Sequence, residues 1–234
     1  MKQITHIFSK EFKGYFISPM AVIVISVFLL VTGWFFFTTF FIYDQASLRT
    51  FFDLLPFIFS FVVPAVTMRL FSEEFSVGSY EILLTMPVTT LDVVLGKFLA
   101  AVIFIAAMLL PTLSYPVTVS LLGQLDWGPV AGGYLGAILL GAAFSAVSLF
   151  ASSLTRNQIT AFIIGMAICL GLALIDRMLL FFPRSILGVL GYLGANLHFE
   201  NISKGIIDSR DLLYFLSVCF VGLYATDLAL REKN

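Results

Sequence analysis

The sequence predicts an all-α polytopic membrane protein with six transmembrane helices. Of its 234 residues, 60% are hydrophobic and only 12% are charged, whereas soluble domains carry about twice that share of charge. The chain also contains six apolar runs of about 20 residues or more, the length needed to cross a hydrocarbon core of about 30 Å. The alternating ten-residue strands of a membrane β-barrel are absent, which leaves helices as the spanning elements.

The six runs form one transmembrane domain over residues 1–234, because no connection has the composition of a soluble linker. The first run is not followed by a convincing cleavage site, and we interpret it as a retained span. The predicted spans lie near 20–43, 51–71, 90–122, 131–153, 159–181 and 211–229.

Residues 1–18 precede the first span and are predicted to form an amphipathic helix in the headgroup layer. Apolar side chains recur there at helical spacing, and lysines occupy the opposite arc. Glu11 interrupts the pattern because it falls among the aromatic residues of the apolar side. We expect Glu11 either to snorkel or to pair with a buried basic group, with Arg69 the first candidate and Arg156 the second.

The third run spans 33 residues, or about 50 Å at 1.5 Å per residue, and therefore exceeds the membrane core. Its first turns, with Asp92 and Lys97, are expected in water or headgroups. Pro111 and Pro116 are expected to kink its later part.

The fourth span carries small residues at intervals of four. Small side chains let helix backbones approach closely, which stabilises helix association inside a bilayer. The sequence leaves open whether this stripe packs within the chain or against another chain. Its members are Gly133, Ala137, Gly141 and Ser145.

Lysine and arginine set the orientation of the spans. With six spans both termini share one side, and that side carries eight basic residues against five opposite. Positive residues are enriched in cytoplasmic loops, so cytoplasmic termini in a bacterial inner membrane are predicted. Residues 72–89 then form a cytoplasmic segment, and residues 182–210 form an outer segment.

The sequence argues against several other functions. It has no H-E-x-x-H, no G-x-S-x-G and no complete phosphate-binding G-x-x-x-x-G-K-[ST], so no catalytic, cofactor or metal site is predicted in this chain. The charges inside the spans lie near their ends, which disfavours a proton-coupled carrier. A net charge of −1 without a basic cluster disfavours nucleic acid as a partner. Cys169 and Cys219 are expected to be buried, unpaired thiols.

Residues 73–97, EEFSVGSYEILLTMPVTTLDVVLGK, resemble the connection between the second and third spans of type-2, exporter-class ATP-binding-cassette permeases. An acidic pair, a Gly-x-x-Glu-x-Leu-Leu core, a proline and a Gly-Lys recur in that connection. Two further stretches are similar to the gliding-motility-associated permease branch: KEFKGYFISPMAVIVISVFLL at 10–30 and LHFENISKGIIDSRDLLYFLS at 197–217.

The resemblance implies a dimer of permeases, formed with a second copy or a paralogue, and separate ATPase subunits that bind ATP and Mg²⁺. It also implies that residues 72–89 form the coupling helix that docks the ATPase, with the acidic groups facing basic residues and the apolar groups entering a cleft. An auxiliary periplasmic or membrane protein is a further expected partner at the outer segment. The expected coupling residues are Glu73, Glu74, Phe75, Gly78, Tyr80, Glu81, Leu83 and Pro87.

Three functions remain open at this point. The chain is expected to be the permease of an ATP-driven exporter. The first alternative is a mechanotransmitter or scaffold whose ATPase drives extracytoplasmic work without moving a substrate through the bundle. The second is an autonomous channel or carrier, which would need no ATPase.

Overall fold

A computed structural model describes residues 2–43, 47–80, 88–178 and 191–233. Within these ranges the chain is all-α with no strand, which confirms the predicted fold class. The helices are α1 Lys2–Ile17, α2 Pro19–Tyr43, α3 Arg49–Thr67, α4 Arg69–Val77, α5 Thr90–Leu109, α6 Ser114–Leu122, α7 Trp127–Leu154, α8 Gln158–Met178, α9 Ala195–Ser203 and α10 Ser209–Arg231.

Six helical segments in the described part of the chain are long and apolar enough to cross a membrane, as predicted. The segment containing α7 is the most buried of them, and those containing α2 and α8 are among the least buried. The bundle is therefore built around α7. The six segments are Pro19–Phe40, Arg49–Val77, Thr90–Leu122, Trp127–Leu154, Gln158–Met178 and Ser209–Arg231.

Close packing of neighbouring side chains against its glycines explains why α7 can occupy the centre. A side-chain carbon at Gly133 would lie 2.3 Å from the Phe52 ring of α3, and one at Gly141 would lie 2.9 Å from Ile105 of α5. Ala137 and Ser145, which complete the predicted stripe, are fully buried. The structure thus places the stripe inside this chain, facing α3 and α5.

The third span is interrupted where its prolines lie. α5 ends at Leu109, a 3₁₀ turn covers Leu110–Leu113, and α6 continues from Ser114. Proline cannot donate the backbone hydrogen bond of a helix interior, which accounts for the tighter turn at Pro111. At its other end α5 begins with a capping box, in which Thr89 Oγ1 accepts from the Asp92 N–H at 3.2 Å and Asp92 accepts from the Thr89 N–H.

α1 is amphipathic as predicted, but its apolar side packs against the protein. Tyr15 is buried, and Ile7 lies so close to α5 that a side-chain carbon at Gly96 would be 2.8 Å from it. The polar side, with His6, Lys10 and Lys13, is exposed. α1 therefore belongs to the bundle rather than resting only on lipid.

The described part of the outer segment is hydrogen-bonded to two spans, α8 and α10. His198 of α9 lies 2.6 Å from Asp211 of α10 and 3.0 Å from the Tyr192 carbonyl, while the Leu197 N–H donates to Asp176 at the end of α8. Asp208 caps α10 by accepting from the Arg210 N–H at 3.0 Å. Residues 182–190 of this predicted segment lie outside the described residues.

Candidate functional site

The candidate site surrounds α4 at the end of the bundle that carries both chain termini, which we call the terminus face. α4 follows α3 with only Met68 between them, and it ends at Gly78, whose φ of +76° lies in the left-handed region that glycine adopts without strain. The predicted acidic pair, Glu73 and Glu74, lies on this helix. The two glutamates face in different directions, because Glu73 is exposed whereas Glu74 is partly buried.

Glu74 points into the bundle and forms an ion pair with Lys97 of α5. The Lys97 ammonium lies 2.8 Å from Glu74, 3.1 Å from Glu11 of α1 and 2.6 Å from the Leu70 carbonyl at the start of α4. An ammonium group has three hydrogens, so these three acceptors use its full donor capacity. We call this group the Lys97 cluster: Glu11, Leu70, Glu74 and Lys97.

Burial makes the Lys97 cluster energetically important. The Lys97 side chain is 1% exposed, and those of Glu74 and Glu11 are 14% and 18% exposed. A charge withdrawn from water to this extent requires a partner, because unpaired burial of an ion is strongly unfavourable. One Glu74 oxygen is buried without a hydrogen-bond partner among the described residues, so the cluster holds spare acceptor capacity.

Two expectations about these charges were wrong. Glu11 pairs with Lys97 rather than with Arg69 or Arg156, because the approach of α1 to α5 at Gly96 brings the following lysine within reach. Arg69 instead lies over the Tyr15 ring, 4.9 Å from its centroid. Lys97 was expected in water or headgroups, but α1 and α4 cover it.

Phe75 and Tyr80 also face inward. Their rings meet edge to face with centroids 4.8 Å apart, and both contact the buried Phe71. Tyr80 is 6% exposed, and burial raises the pKa of its hydroxyl, with Glu74 adding to the shift. The two rings therefore hold α4 to the bundle, and in this conformation neither can enter a partner's cleft as predicted.

The outward side of α4 consists of Glu73, Ser76 and Val77, followed by Gly78. All four are exposed, and Val77 is 75% exposed despite its apolar side chain. Sequence reasoning overlooked Val77, although its position four residues after Glu73 places it on the same side of a helix. The remaining predicted coupling residues, Glu81, Leu83 and Pro87, lie outside the described residues.

The C-terminal end of the chain joins the same site. Lys233 donates to the Ser153 carbonyl of α7 at 2.6 Å and lies 4.4 Å from the centroid of the Phe75 ring. Burial lowers the pKa of its ammonium group, and the nearby positive charge of Arg156 lowers it further. Asp227 of α10 accepts from the Thr90 hydroxyl at 2.6 Å, which connects α10 to the first turn of α5.

The site therefore has an exposed outer side on α4 and polar connections from its inner side to several helices. Between α1 and α4 lies an open cleft of about 420 Å³, lined by both charged and small residues. The described residues contain no group of three or more potential metal ligands.

Comparison with known families bears on this arrangement. A family model described as ABC-2 family transporter protein matches residues 6–189, which is well over half of the chain and includes most of α1 and all of α4 and α5. No curated protein matches the chain.

Proposed function

The chain belongs to the ABC-2 family of transporter proteins, and on that premise we propose that it couples a separate ATPase to substrate export through α4. Family membership makes it a multi-pass membrane permease subunit of an ABC transporter, and it implies an ABC ATPase as partner. The direction of transport and the coupling route are proposals. We take export from the resemblance of residues 73–97 to exporter-class permeases.

The observation that carries the coupling proposal is the two-sided environment of α4. Its outer side exposes Glu73 and Val77 at the terminus face, while Glu74 on its inner side reaches the buried Lys97. A partner that moved α4 would also displace α1 and α5, because the Lys97 cluster contains residues from all three helices. α4 is thus positioned to receive force at one side and pass it on at the other.

The remaining parts of the proposal follow from the family and from charge. The terminus face is taken to be cytoplasmic in a bacterial inner membrane, supported by the excess of Lys and Arg on that side. ATP and Mg²⁺ would then bind to the partner ATPase, and a second permease copy or paralogue would complete the transporter. Membership of the gliding-motility-associated branch rests on residues 10–30 and 197–217, and an auxiliary protein would contact the outer segment.

The coupling proposal is tested by Val77→Asp, with Ile159→Asp as the matched control. Both replace a well exposed aliphatic residue, 75% and 69% exposed, near the ends of α4 and α8 that meet the terminus face. The Val77 variant is expected to remain folded in the membrane but to lose ATPase co-purification or permease-dependent ATP hydrolysis. The control should retain both. Equal behaviour of the two variants would remove α4 from the docking surface.

Transport itself needs a separate measurement. Reconstitution of the permease and its ATPase in vesicles should give ATP-dependent movement of a substrate if the chain is an exporter. Stimulated hydrolysis without transport, across a panel of apolar and amphiphilic candidates, would instead support the mechanotransmitter function. Failure of the parent chain to bind any ATPase would favour an autonomous channel or carrier.

A further inference from the structure

A single hydroxyl group joins α7 to the boundary between α3 and α4. Ser152 Oγ donates to the Met68 carbonyl at 2.6 Å and accepts from the backbone N–H groups of Phe71 and Ser72 at 3.1 and 3.2 Å. In an uninterrupted α-helix the Phe71 N–H would bond the carbonyl four residues earlier. At this boundary it bonds a side chain from another helix.

These three bonds use the whole capacity of the group, because a serine hydroxyl has one donor and two acceptor positions. Ser152 is fully buried, so water cannot replace it. The neighbouring serines of α7 are used differently. Ser153 bonds the Phe150 carbonyl of its own helix, and Ser148 lies 3.5 Å from the Cys169 sulfur of α8.

The short length of α4 and the breaks at its two ends allow it to change its angle to α3. The helix is nine residues long, or about 14 Å, and it is interrupted at Met68 before it and at Gly78 after it. Pro64 lies one turn before Met68 and removes a backbone donor from α3, which weakens the helix on that side of the boundary. Helices bend where the backbone ladder is interrupted or a side chain bonds into it. Met68 is therefore the point at which α4 can change its angle to α3.

We infer that Ser152 is a positioning residue that fixes the angle between α3 and α4. The inference rests on the proposed function, since a fixed angle matters for coupling only if α4 receives force from the ATPase. Without this hydroxyl, the buried N–H groups of Phe71 and Ser72 lose a partner, whereas the half-buried Met68 carbonyl keeps its bond from the Ser72 hydroxyl. The population ratio of α4 held at its present angle to α4 released from it should then fall by about tenfold. Motion of α4 would then be absorbed by bending at Met68 instead of reaching α3 and α7.

The angle is measured first without any ATPase. Spin labels at Val77→Cys in α4 and Ile159→Cys in α8, with Cys219→Ala to remove the partly buried native thiol, report the distance between the two helices in lipid nanodiscs. Ser152→Ala should broaden or shift the distance distribution. The matched control Ser148→Ala removes a buried hydroxyl from the same helix and should leave the distribution unchanged. Identical distributions in the two variants would overturn the inference.

The second measurement tests whether Ser152 is needed for coupling to the ATPase. It uses variants of the permease without spin labels, together with the ATPase. Ser152→Ala should still co-purify the ATPase, but permease-dependent hydrolysis should fall, by at most about tenfold, because a tenfold smaller ratio cannot reduce the held population further. Ser152→Cys keeps a weak donor and acceptor of similar size, so it should restore part of the stimulation, which general loss of packing would not predict. This variant also provides the test if Ser152→Ala does not fold. Full stimulation by Ser152→Ala, or no difference between the Ala and Cys variants, counts against the inference.

The two proposals can fail separately. If the parent chain binds no ATPase, the proposed function is wrong, whereas the distance measurement still decides whether Ser152 holds α4. If the parent binds and stimulates the ATPase while Ser152→Ala and Ser148→Ala behave alike, only the role of Ser152 is wrong.

Discussion

Replacing Lys97 with methionine tests the energetic importance of the Lys97 cluster directly. Methionine has a similar length and no charge, so the substitution keeps much of the packing and leaves Glu11 and Glu74 without their shared cation. Both carboxylates are more than four-fifths buried and lie within 3.1 Å of the ammonium in the parent chain. Removing one partner of a buried ion pair costs about 3–5 kcal/mol, because the remaining charge stays desolvated.

That cost converts into a measurable change in thermal stability. For soluble domains of 150–250 residues, 1 kcal/mol shifts Tm by about 2–4 °C, so Lys97→Met should lower Tm by about 6–20 °C. The assay is thermal unfolding of purified protein in nanodiscs, with folded protein measured by size-exclusion chromatography. Lys13→Met, which changes an exposed lysine of α1, is the matched control and should melt within about 2 °C of the parent.

A combined variant separates charge from packing. With Glu11→Gln and Glu74→Gln added to Lys97→Met, no charged side chain remains in the Lys97 cluster, and part of the lost stability should return because neutral groups cost less to bury. The Lys10 ammonium lies 4.0 Å from both carboxylates and can partly replace the lost cation in Lys97→Met. Adding Lys10→Gln to Lys97→Met removes this replacement and should lower Tm further. A Tm for Lys97→Met that matches Lys13→Met would refute the reasoning.

The other predictions concern packing and buried polar groups. Gly141→Leu should reduce the yield of folded protein, because even its first side-chain carbon would lie 2.9 Å from a neighbouring side chain, whereas Gly171→Leu, with open space around it, should be tolerated. Asp211→Ala should cost about 1–3 kcal/mol, measured as a lower Tm, because it removes the 2.6 Å partner of the buried His198 ring. Ser145→Ala should leave Tm equal to or above that of the parent, since the Ser145 hydroxyl is buried without a hydrogen-bond partner among the described residues. A lower Tm for this last variant would show that the hydroxyl has a partner.

Sequence reasoning succeeds for the spans because hydrophobic length is a local property of the chain. The six runs needed only composition and a membrane thickness, and the structure describes six corresponding helical segments. The prolines of the third run also gave the approximate position of its interruption. The apolar runs could not predict which helices pack against each other, because any apolar side chain can face either lipid or another helix. The contact of Gly133 with Phe52 therefore emerges only in the structure.

The same reasoning located the charged segment but assigned wrong partners within it. Glu11 was recognised as unusual from its place on the apolar side of α1, which is a local signal. Its partner Lys97 lies 86 residues away, and their pairing depends on the docking of α1 at Gly96. Ser152 gave no sequence signal, because a serine in a small-residue helix resembles ordinary packing. The contact becomes visible only in the structure, where the Met68 carbonyl and two N–H groups of α4 converge on one hydroxyl.

Among the described residues, the charges around α4 are used mainly within the chain, and this determines how the helix can work. Glu74 and Lys97 pair with each other, Asp92 caps α5 and Arg69 covers the Tyr15 ring, which leaves Glu73 exposed. A segment that served only as a docking surface would present most of its charge outward, toward the partner. Inward pairing instead makes it costly for α4 to move independently of α1 and α5. We therefore expect binding energy at the outer side of α4 to be transmitted as displacement of these helices rather than lost in local rearrangement.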